Sequence, residues 1–438
     1  MTRNILIDGF NLGLEKGTGV ATYARNLSQQ IGALGHDVSV LYGNPAARSR
    51  DPLINEISFF DSSPKGHPFL LQAYHALRGP RRRKAHEVPI SGRVLSRQFE
   101  SRLPHYNRIY NAPDVFARST YAFWLWGQMS HAVFDETPDL AHWTYPLPIR
   151  IKGVPNIYTL HDLVPLRLPY TTLDDKRHYL RLIRKLARTA DHVVTVSECS
   201  RQDLIEIGGM SPDRVTNTYQ CAEIPRKLLE KSEEQVAREV AGAAGLDLKK
   251  YFLFWGSIEP KKNIGRMIEA YLASDAKVPL VIVGAQAWKS EQELRLLQSG
   301  HAASAKGAKG AKGAAGKRVI LLPYAPFSLL VSLIRGAKAA LFPSLYEGFG
   351  LPVLEAMQLG TPVICSNTSS LPEVAGDAAL MIDPYDVGAI SQAIRTLDSD
   401  EGLRADLAAR GLDQCQHFTA ERYRQRLSDV YSKFIGNK

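Results

Sequence analysis

AALFPSLYEGFGLPVLEAMQLGTPVI, residues Ala339 to Ile364, is the stretch on which the reading of the fold turns. Four small or apolar residues, Ala339–Phe342, predict a buried strand, Pro343 to Leu351 a turn, Pro352 to Leu359 a short helix, and Thr361 to Ile364 the next strand. Pro352 suits a first helical turn and Gly360 the position just past a helix end. The loop Glu347-Gly348-Phe349-Gly350-Leu351 then lies at the carboxyl end of a parallel strand, where open α/β sheets bind ligands, with a helix N-terminus aimed at it. An anion is expected there. The two glycines let the backbone approach it, and the N–H groups of residues 350 to 353 are expected to hold phosphate oxygens. Glu347 falls in the turn and Glu355 on the first turn of the helix, so the two are not an acid/base pair by helical spacing. Each suits hydroxyl groups of a sugar or ribose, which a carboxylate accepts from. A lone glutamate is more commonly solvated or complements a helix dipole; the Gly-Phe-Gly setting favours a ligand.

The same rhythm runs through the chain. Asn4–Asp8 reads as a strand, Gly13 to Gly19 as a loop, Val20 to Ile31 as a helix and Val38 to Tyr42 as a strand. Further strands are predicted at Pro155–Leu160, His192–Val196, Tyr251–Trp255, Pro279–Val283, Arg318–Leu322 and Ala379–Ile382. Repeated βα units argue for parallel sheets covered by helices on both faces. From about Ala222 to Lys250 the chain is charged and loses this rhythm, which places a domain boundary near residue 225. Two doubly wound domains are expected, 1–225 and 226–418, with a basic and aromatic insertion near 60–130. A C-terminal helix at 419–435, with Tyr423, Leu427, Val430 and Phe434 on one face, either closes a core or bridges the two domains. The Ala-Lys-Gly triplets between His301 and Arg318 have no residue able to anchor a core and read as a loop.

Composition narrows the class. The 438 residues are too many for one ordinary core, and 45% hydrophobic with 22% charged residues is globular rather than disordered. The four cysteines, Cys199, Cys221, Cys365 and Cys415, form no C-x-x-C pair and fit a reducing cytoplasm. MTRNILIDGF lacks a signal-peptide core and no run of 18 apolar residues occurs, so neither export nor a membrane span is expected. The net charge is +10, and the window Arg78 to Arg108 holds nine Lys/Arg against Glu87 and Glu100, or 9 − 2 = +7. Tyr106, Tyr110, Phe116, Tyr121, Phe123, Trp124 and Trp126 continue it. Nucleic acid is disfavoured because no nucleic-acid fold signature accompanies the window. An anionic membrane surface and a solvated insertion remain.

EGFGLPVLE resembles the E-x7-E element of retaining glycosyltransferases of family 4, enzymes of the GT-B fold that take a sugar from a nucleotide diphosphate donor. Other family elements follow in order over nearly the whole length. GTGVATYARNL resembles the N-terminal glycine loop under the donor diphosphate, through Gly17, Gly19 and Val20. It is not the dinucleotide fingerprint, since Thr22 replaces the third glycine and VLYGN carries no ribose-binding acid. YTLHDLVP places His161 where the family has a histidine beside donor sugar and acceptor. FLFWGSIEPKKN resembles the segment whose basic pair meets the diphosphate: Lys262 aligns with the family lysine, Lys261 precedes it, and Ser257 stands where many members have arginine. Weaker matches put Ser197, Val283 and Tyr324 near the donor.

The resemblance implies a GT-B fold with the active site in the cleft between two Rossmann-like domains, and transfer without a protein nucleophile, a cofactor or a metal. Asp398-Ser399-Asp400 has the Asp-x-Asp form of metal-dependent transferases, yet helix capping is its simpler account. Implied catalytic residues are His161, Glu347 and Lys262; Gly348, Phe349, Gly350, Leu351 and Glu355 join the donor site, with Glu347 on the transferred sugar and Glu355 on the ribose. The segments GSIEPKKN and SLYEGFGLPVLEAM look most like those of bacterial polysaccharide and lipopolysaccharide mannosyltransferases, so GDP-mannose is the first donor expected and a saccharide or lipid-linked saccharide the acceptor. The expected location is cytoplasmic, peripheral on the inner face of the membrane through 78–126. A nucleotide-sugar epimerase and a non-catalytic sugar-nucleotide-binding subunit are the alternatives.

Overall fold

A computed structural model describes residues 2–12, 19–46, 49–61, 82–94, 103–298 and 318–436. Gly17, the Ala-Lys-Gly run and the 78–81 and 95–102 parts of the basic window lie outside the described residues. The chain forms two units: Met1–Leu166 with Asp174–Cys221 and Ala420–Lys438, and Arg167–Leu173 with Ala222–Thr419.

In the first unit the strands are β1 Asn4–Asp8, β2 Asp37–Tyr42, β3 Arg82–Lys84, β4 His86–Glu87, β5 Arg108–Asn111, β6 Ser130–Val133, β7 Leu140–Trp143, β8 Ile149–Ile151, β9 Asn156–Thr159, β10 His192–Thr195 and β11 Val215–Asn217. Among the described residues eight of them form one sheet in the order β11-β10-β9-β7-β1-β2-β5-β4. Its pairs are parallel except β4 with β5. β3, β6 and β8 make a small parallel sheet. Ile5, Leu6, Ile7, Val38, Val40 and Leu41 are fully buried, because helices cover both faces and the strands therefore read as continuous apolar runs. The helix Gly19–Ala33 buries Tyr23, Ala24, Leu27 and Ile31. After β2 the chain leaves to one side through β5, whereas β7, β9, β10 and β11 run to the other. The switch point is therefore between β1 and β7, and Asp8 ends β1 there.

The helix Ala420–Ser432 belongs to the first unit, with Tyr423, Leu427, Val430 and Tyr431 buried. Arg424 Nε donates to Gln30 Oε1 at 3.0 Å. The helix ends before the expected Phe434, whose ring instead lies 5.7 Å from that of His192. Tyr431 takes the buried place, its hydroxyl 2.6 Å from His142 Nδ1.

The second unit has β12 Phe252–Trp255, β13 Leu280–Val283, β14 Val319–Leu322, β15 Ala339–Phe342, β16 Val363–Ser366 and β17 Ala379–Ile382, all parallel, in the order β14-β13-β12-β15-β16-β17. Its switch point lies between β12 and β15. Residues Arg167–Leu173, expected in the first domain, belong to this unit: Trp288 Nε1 donates to Thr171 O at 2.8 Å and Lys289 Nζ to Tyr170 O at 3.1 Å. Between the units' strands, Ser232 and Gln235 form a capping box on the helix Glu233–Ala244, which gives the charged 222–250 stretch its order. Asp400 caps Glu401–Gln414 through Leu403 N, and Asp398 accepts from Lys338 Nζ at 2.6 Å.

Candidate active site

The carboxyl ends of β12 and β15 collect the chemistry of the second unit. β12 runs into Gly256 and Ser257, and a 3-10 turn Pro260–Lys262 follows. β15 runs into the Pro343–Gly350 loop. Leu345 N donates to Lys261 O at 2.8 Å, strapping the two segments together. Asn263, in the left-handed region at φ 60°, donates Nδ2 to Pro343 O at 2.9 Å and to Pro384 O at 2.7 Å. On the other side Ser370 Oγ donates to Glu347 O at 2.9 Å and Phe349 O at 2.8 Å, and Glu347 N donates to Ser369 Oγ at 3.0 Å. The turn is thus held by the Asn263, Ser369 and Ser370 side chains and the Lys261 carbonyl, bonded to its backbone. Gly350 is required at its exit: its φ is 105°, and a Cβ would lie 2.6 Å from Leu371 Cδ2.

Within this frame Lys262 Nζ donates to Glu347 Oε1 at 2.6 Å, with both side chains little exposed. Burial alone would raise the Glu347 carboxyl; the Lys262 and Lys261 ammonium groups overcome it and hold the group below its ordinary value. Lys261 Nζ stands 3.8 Å from Glu259 Oε1. Glu355 has a different setting. Burial raises it to about 7, and the hydrogen bond from Trp255 Nε1 to Oε2, 2.9 Å, works the other way.

In the first unit His161 follows β9. Its Nε2 is 3.0 Å from Thr144 O, so Nε2 carries the proton, and its ring meets the Tyr23 ring edge-on at 4.7 Å. Thr144 N donates to Asp8 Oδ2, and Phe10 N to Asp8 Oδ1 at 3.2 Å. Asp8 is fully buried, and burial raises its carboxyl to about 6 against the lowering by these hydrogen bonds. The Thr144 backbone, through its N–H and its C=O, therefore joins Asp8 to His161 at the first unit's switch point. Beneath them a buried chain of polar groups runs from Tyr23 OH to Thr159 Oγ1 at 2.9 Å and on to His142 Nε2 at 2.8 Å.

Residues 243–414 match the model of the glycosyl transferases group 1, and residues 18–218 match a glycosyl transferase 4-like domain. The chain is 32% identical over 297 residues to the O-antigen chain mannosyltransferase B of Escherichia coli, covering 65% of this chain and 71% of that one. The chain belongs to the GT-B glycosyltransferases. The transferase is also 30% identical over 285 residues to the serotype-specific mannosyltransferase WbdA of Escherichia coli, 63% of this chain but 33% of that protein. Its fold matches Anabaena Alr3699/HepE in complex with UDP and glucose, at TM-score 0.64 and 16% identity over 98% of this chain and 100% of that one. Sucrose-phosphate synthase from Thermosynechococcus elongatus matches at TM-score 0.66 and 16% identity, over 98% of both chains.

Several expected site residues of the transferase sit differently from their sequence reading. Of the N–H groups at 350 to 353, Pro352 has none and Val353 donates to Gly350 O at 3.0 Å, which leaves Gly350 and Leu351. The helix starts at Leu351, so Glu355 is its fifth residue and opens the second turn instead of lying on the first. Ser197 is fully buried, and its Oγ accepts from Ser200 N as a helix cap. Ser257 is exposed, and Tyr324 is 78% exposed beyond β14. Gly19 and Val20 begin the first helix, with open space around Gly19. Gly348, Phe349 and Leu351 lie in the clamped turn and at its exit. Of the interleaved aromatics, Tyr110, Phe116 and Phe123 are core residues, while Tyr121, Trp124 and Trp126 are exposed. Asp8 and Thr144 had no motif to mark them, and Trp255 and Asn263 lie within FLFWGSIEPKKN with no role read for them; the signal available at Asp8, Thr144 and Trp255 was a polar or amphipathic residue at or just past a strand end.

Proposed function

We propose that the protein is a retaining, metal-independent hexosyltransferase of family 4, with no cofactor. It moves mannose from GDP-mannose to a saccharide or lipid-linked saccharide in bacterial surface polysaccharide assembly. The observation that carries this is the Lys262–Glu347 pair at the β12/β15 switch point, next to the Gly350 and Leu351 N–H groups. The names of the Escherichia coli relatives support mannose as the donor sugar and polysaccharide as the product. The acceptor hydroxyl oxygen bonds to the anomeric carbon as the bond from that carbon to the diphosphate breaks, and a departing phosphate oxygen takes the hydroxyl proton. Lys262, Lys261 and the two backbone donors stabilise the leaving diphosphate, a charge that grows only in the transition state. Glu347 holds a sugar hydroxyl and Glu355 the ribose. His161 is the residue assigned to the donor sugar or acceptor. Nucleotide release from a panel of GDP- and UDP-sugars, with and without saccharide acceptor, tests the reading. GDP-mannose turnover that rises with acceptor supports it; isomerised donor in the absence of acceptor would favour an epimerase.

For location, we propose peripheral binding to an anionic membrane face. The described part of the 78–126 window contributes Trp124 and Trp126, 57% and 50% exposed. The helix Lys176–Thr189 beside them presents Arg177, Arg181, Arg184 and Arg188 on one exposed face, and Arg181 Nη1 donates to Trp124 O at 3.2 Å. No helix among the described residues is long and apolar enough to cross a membrane. Flotation with phosphatidylglycerol vesicles is expected to carry the protein, and Arg184→Glu with Arg188→Glu to release it. Equal failure to bind anionic and neutral vesicles would remove this proposal.

A further inference from the structure

The second unit's site contains a polar contact that no part of the proposed chemistry uses. Trp255 is the last residue of β12, is 5% exposed, and packs its ring edge-on against Phe342, the last residue of β15, with centroids 4.7 Å apart. A ring wedged between two strand ends has one direction left for its N–H, and Nε1 donates to Glu355 Oε2 at 2.9 Å. Its hundred-residue separation from Glu355 in sequence makes this a tertiary device rather than a helix cap.

We propose that Trp255 is a positioning residue for Glu355: its indole N–H pins one carboxylate oxygen, aims the other at the donor ribose and favours the ionised, acceptor-only form that can receive both vicinal hydroxyls. This rests on the reading of Glu355 as the ribose carboxylate. The chemistry requires such a device. An ionised carboxyl accepts from two hydroxyls at once, whereas a protonated one must spend an oxygen as a donor. Burial pushes Glu355 up to about 7, into the range where the wrong form would be populated at neutral pH, and a donor to the carboxylate opposes that. Among the described residues no charged group does so. The elements packed against its helix carry Glu373 on Leu371–Ala375, Glu401, Arg404, Asp406, Arg410 and Asp413 on Glu401–Gln414, Cys365 on β16, then Cys415 and His417. Glu347 and Lys262 lie on the loops beside it. Burial and the indole N–H are the influences on Glu355.

The test has two readings on the full chain. Without donor, the tryptophan emission of the wild type is titrated from pH 5 to 9. A step near pH 7 is expected, absent in both Glu355→Gln and Trp255→Phe. With donor, Trp255→Phe is expected to raise the donor KM about 3- to 10-fold at pH 7, to narrow toward wild type by pH 9 without closing, because the lost aim does not depend on pH, and to leave kcat unchanged. Glu355→Gln is expected to raise KM at every pH. A Trp255→Phe profile parallel to wild type across the whole range, or an emission step that survives Glu355→Gln, would overturn the proposal. If the emission step behaves as expected but Glu355→Gln leaves KM untouched, the coupling stands and the ribose reading of Glu355 fails instead.

Discussion

Replacing Lys262 by alanine separates the structural and chemical roles of the pair it forms with Glu347. The two side chains meet at 2.6 Å with 13% and 11% exposure. Removing one member of a buried pair leaves an uncompensated charge and costs about 3–5 kcal/mol. In a unit of this size 1 kcal/mol moves the melting temperature by about 2–4 °C, so a drop of roughly 6–20 °C is expected at pH 7. The sign with pH follows from the held-down Glu347 carboxyl. A depressed folded value contributes stability above the ordinary value of 4.5, and this is lost as pH falls through the folded value, so wild type and variant converge in acid. Turnover is expected to fall about 10²–10³-fold, the usual cost of one lost donor to a developing anion. The double change Lys262→Met with Glu347→Gln removes both charges and should recover at least half of the lost melting temperature while turnover stays low. Calorimetric melts from pH 3 to 8, read beside nucleotide release, make the comparison. A single variant melting within about 2 °C of wild type, or a double variant no more stable than the single, would refute the argument from an orphaned buried carboxylate.

Asp8→Asn is expected to remove a pH dependence of stability, at the cost of one of the two backbone N–H bonds, since an amide has one accepting oxygen where the carboxylate has two. The Asp8 carboxyl is raised from 3.8 to about 6, so its own contribution to stability is largest below 3.8 and up to about 3 kcal/mol of it is lost as pH rises through 6, a slope the variant should lack in urea titrations. Asn263→Ala gives up two buried hydrogen bonds across the β15 loop and should cost about 2–4 kcal/mol in the same titrations, with turnover falling as the loop loosens. Gly350→Ala forces a side chain into a left-handed position against Leu371, for about 1–3 kcal/mol and a raised donor KM.

What the sequence made legible was local. Asn4–Asp8, Ala339–Phe342 and Ala379–Ile382 carry their strand character in consecutive apolar residues, and the structure places those strands at the same residues. Leu140–Trp143 was passed over although it is a central strand beside β1, because a four-residue run with no β-branched residue and a histidine in it gives little periodicity. At the site, glycine spacing marked the Glu347 turn. It could not show that Val353's N–H closes back on Gly350, since that depends on where the helix begins. The Trp255–Glu355 and Asp8–Thr144–His161 contacts join residues far apart in the chain, and only the strand order brings them together.

The most direct test of the account is single-turnover transfer of labelled mannose from GDP-mannose to a mannose-terminated saccharide, comparing wild type with Glu347→Ala. The account predicts an α-linked product, with the donor's anomeric configuration kept, and a rate at least about 100-fold lower in the variant. An inverted product, or a variant that transfers at the wild-type rate, would contradict it.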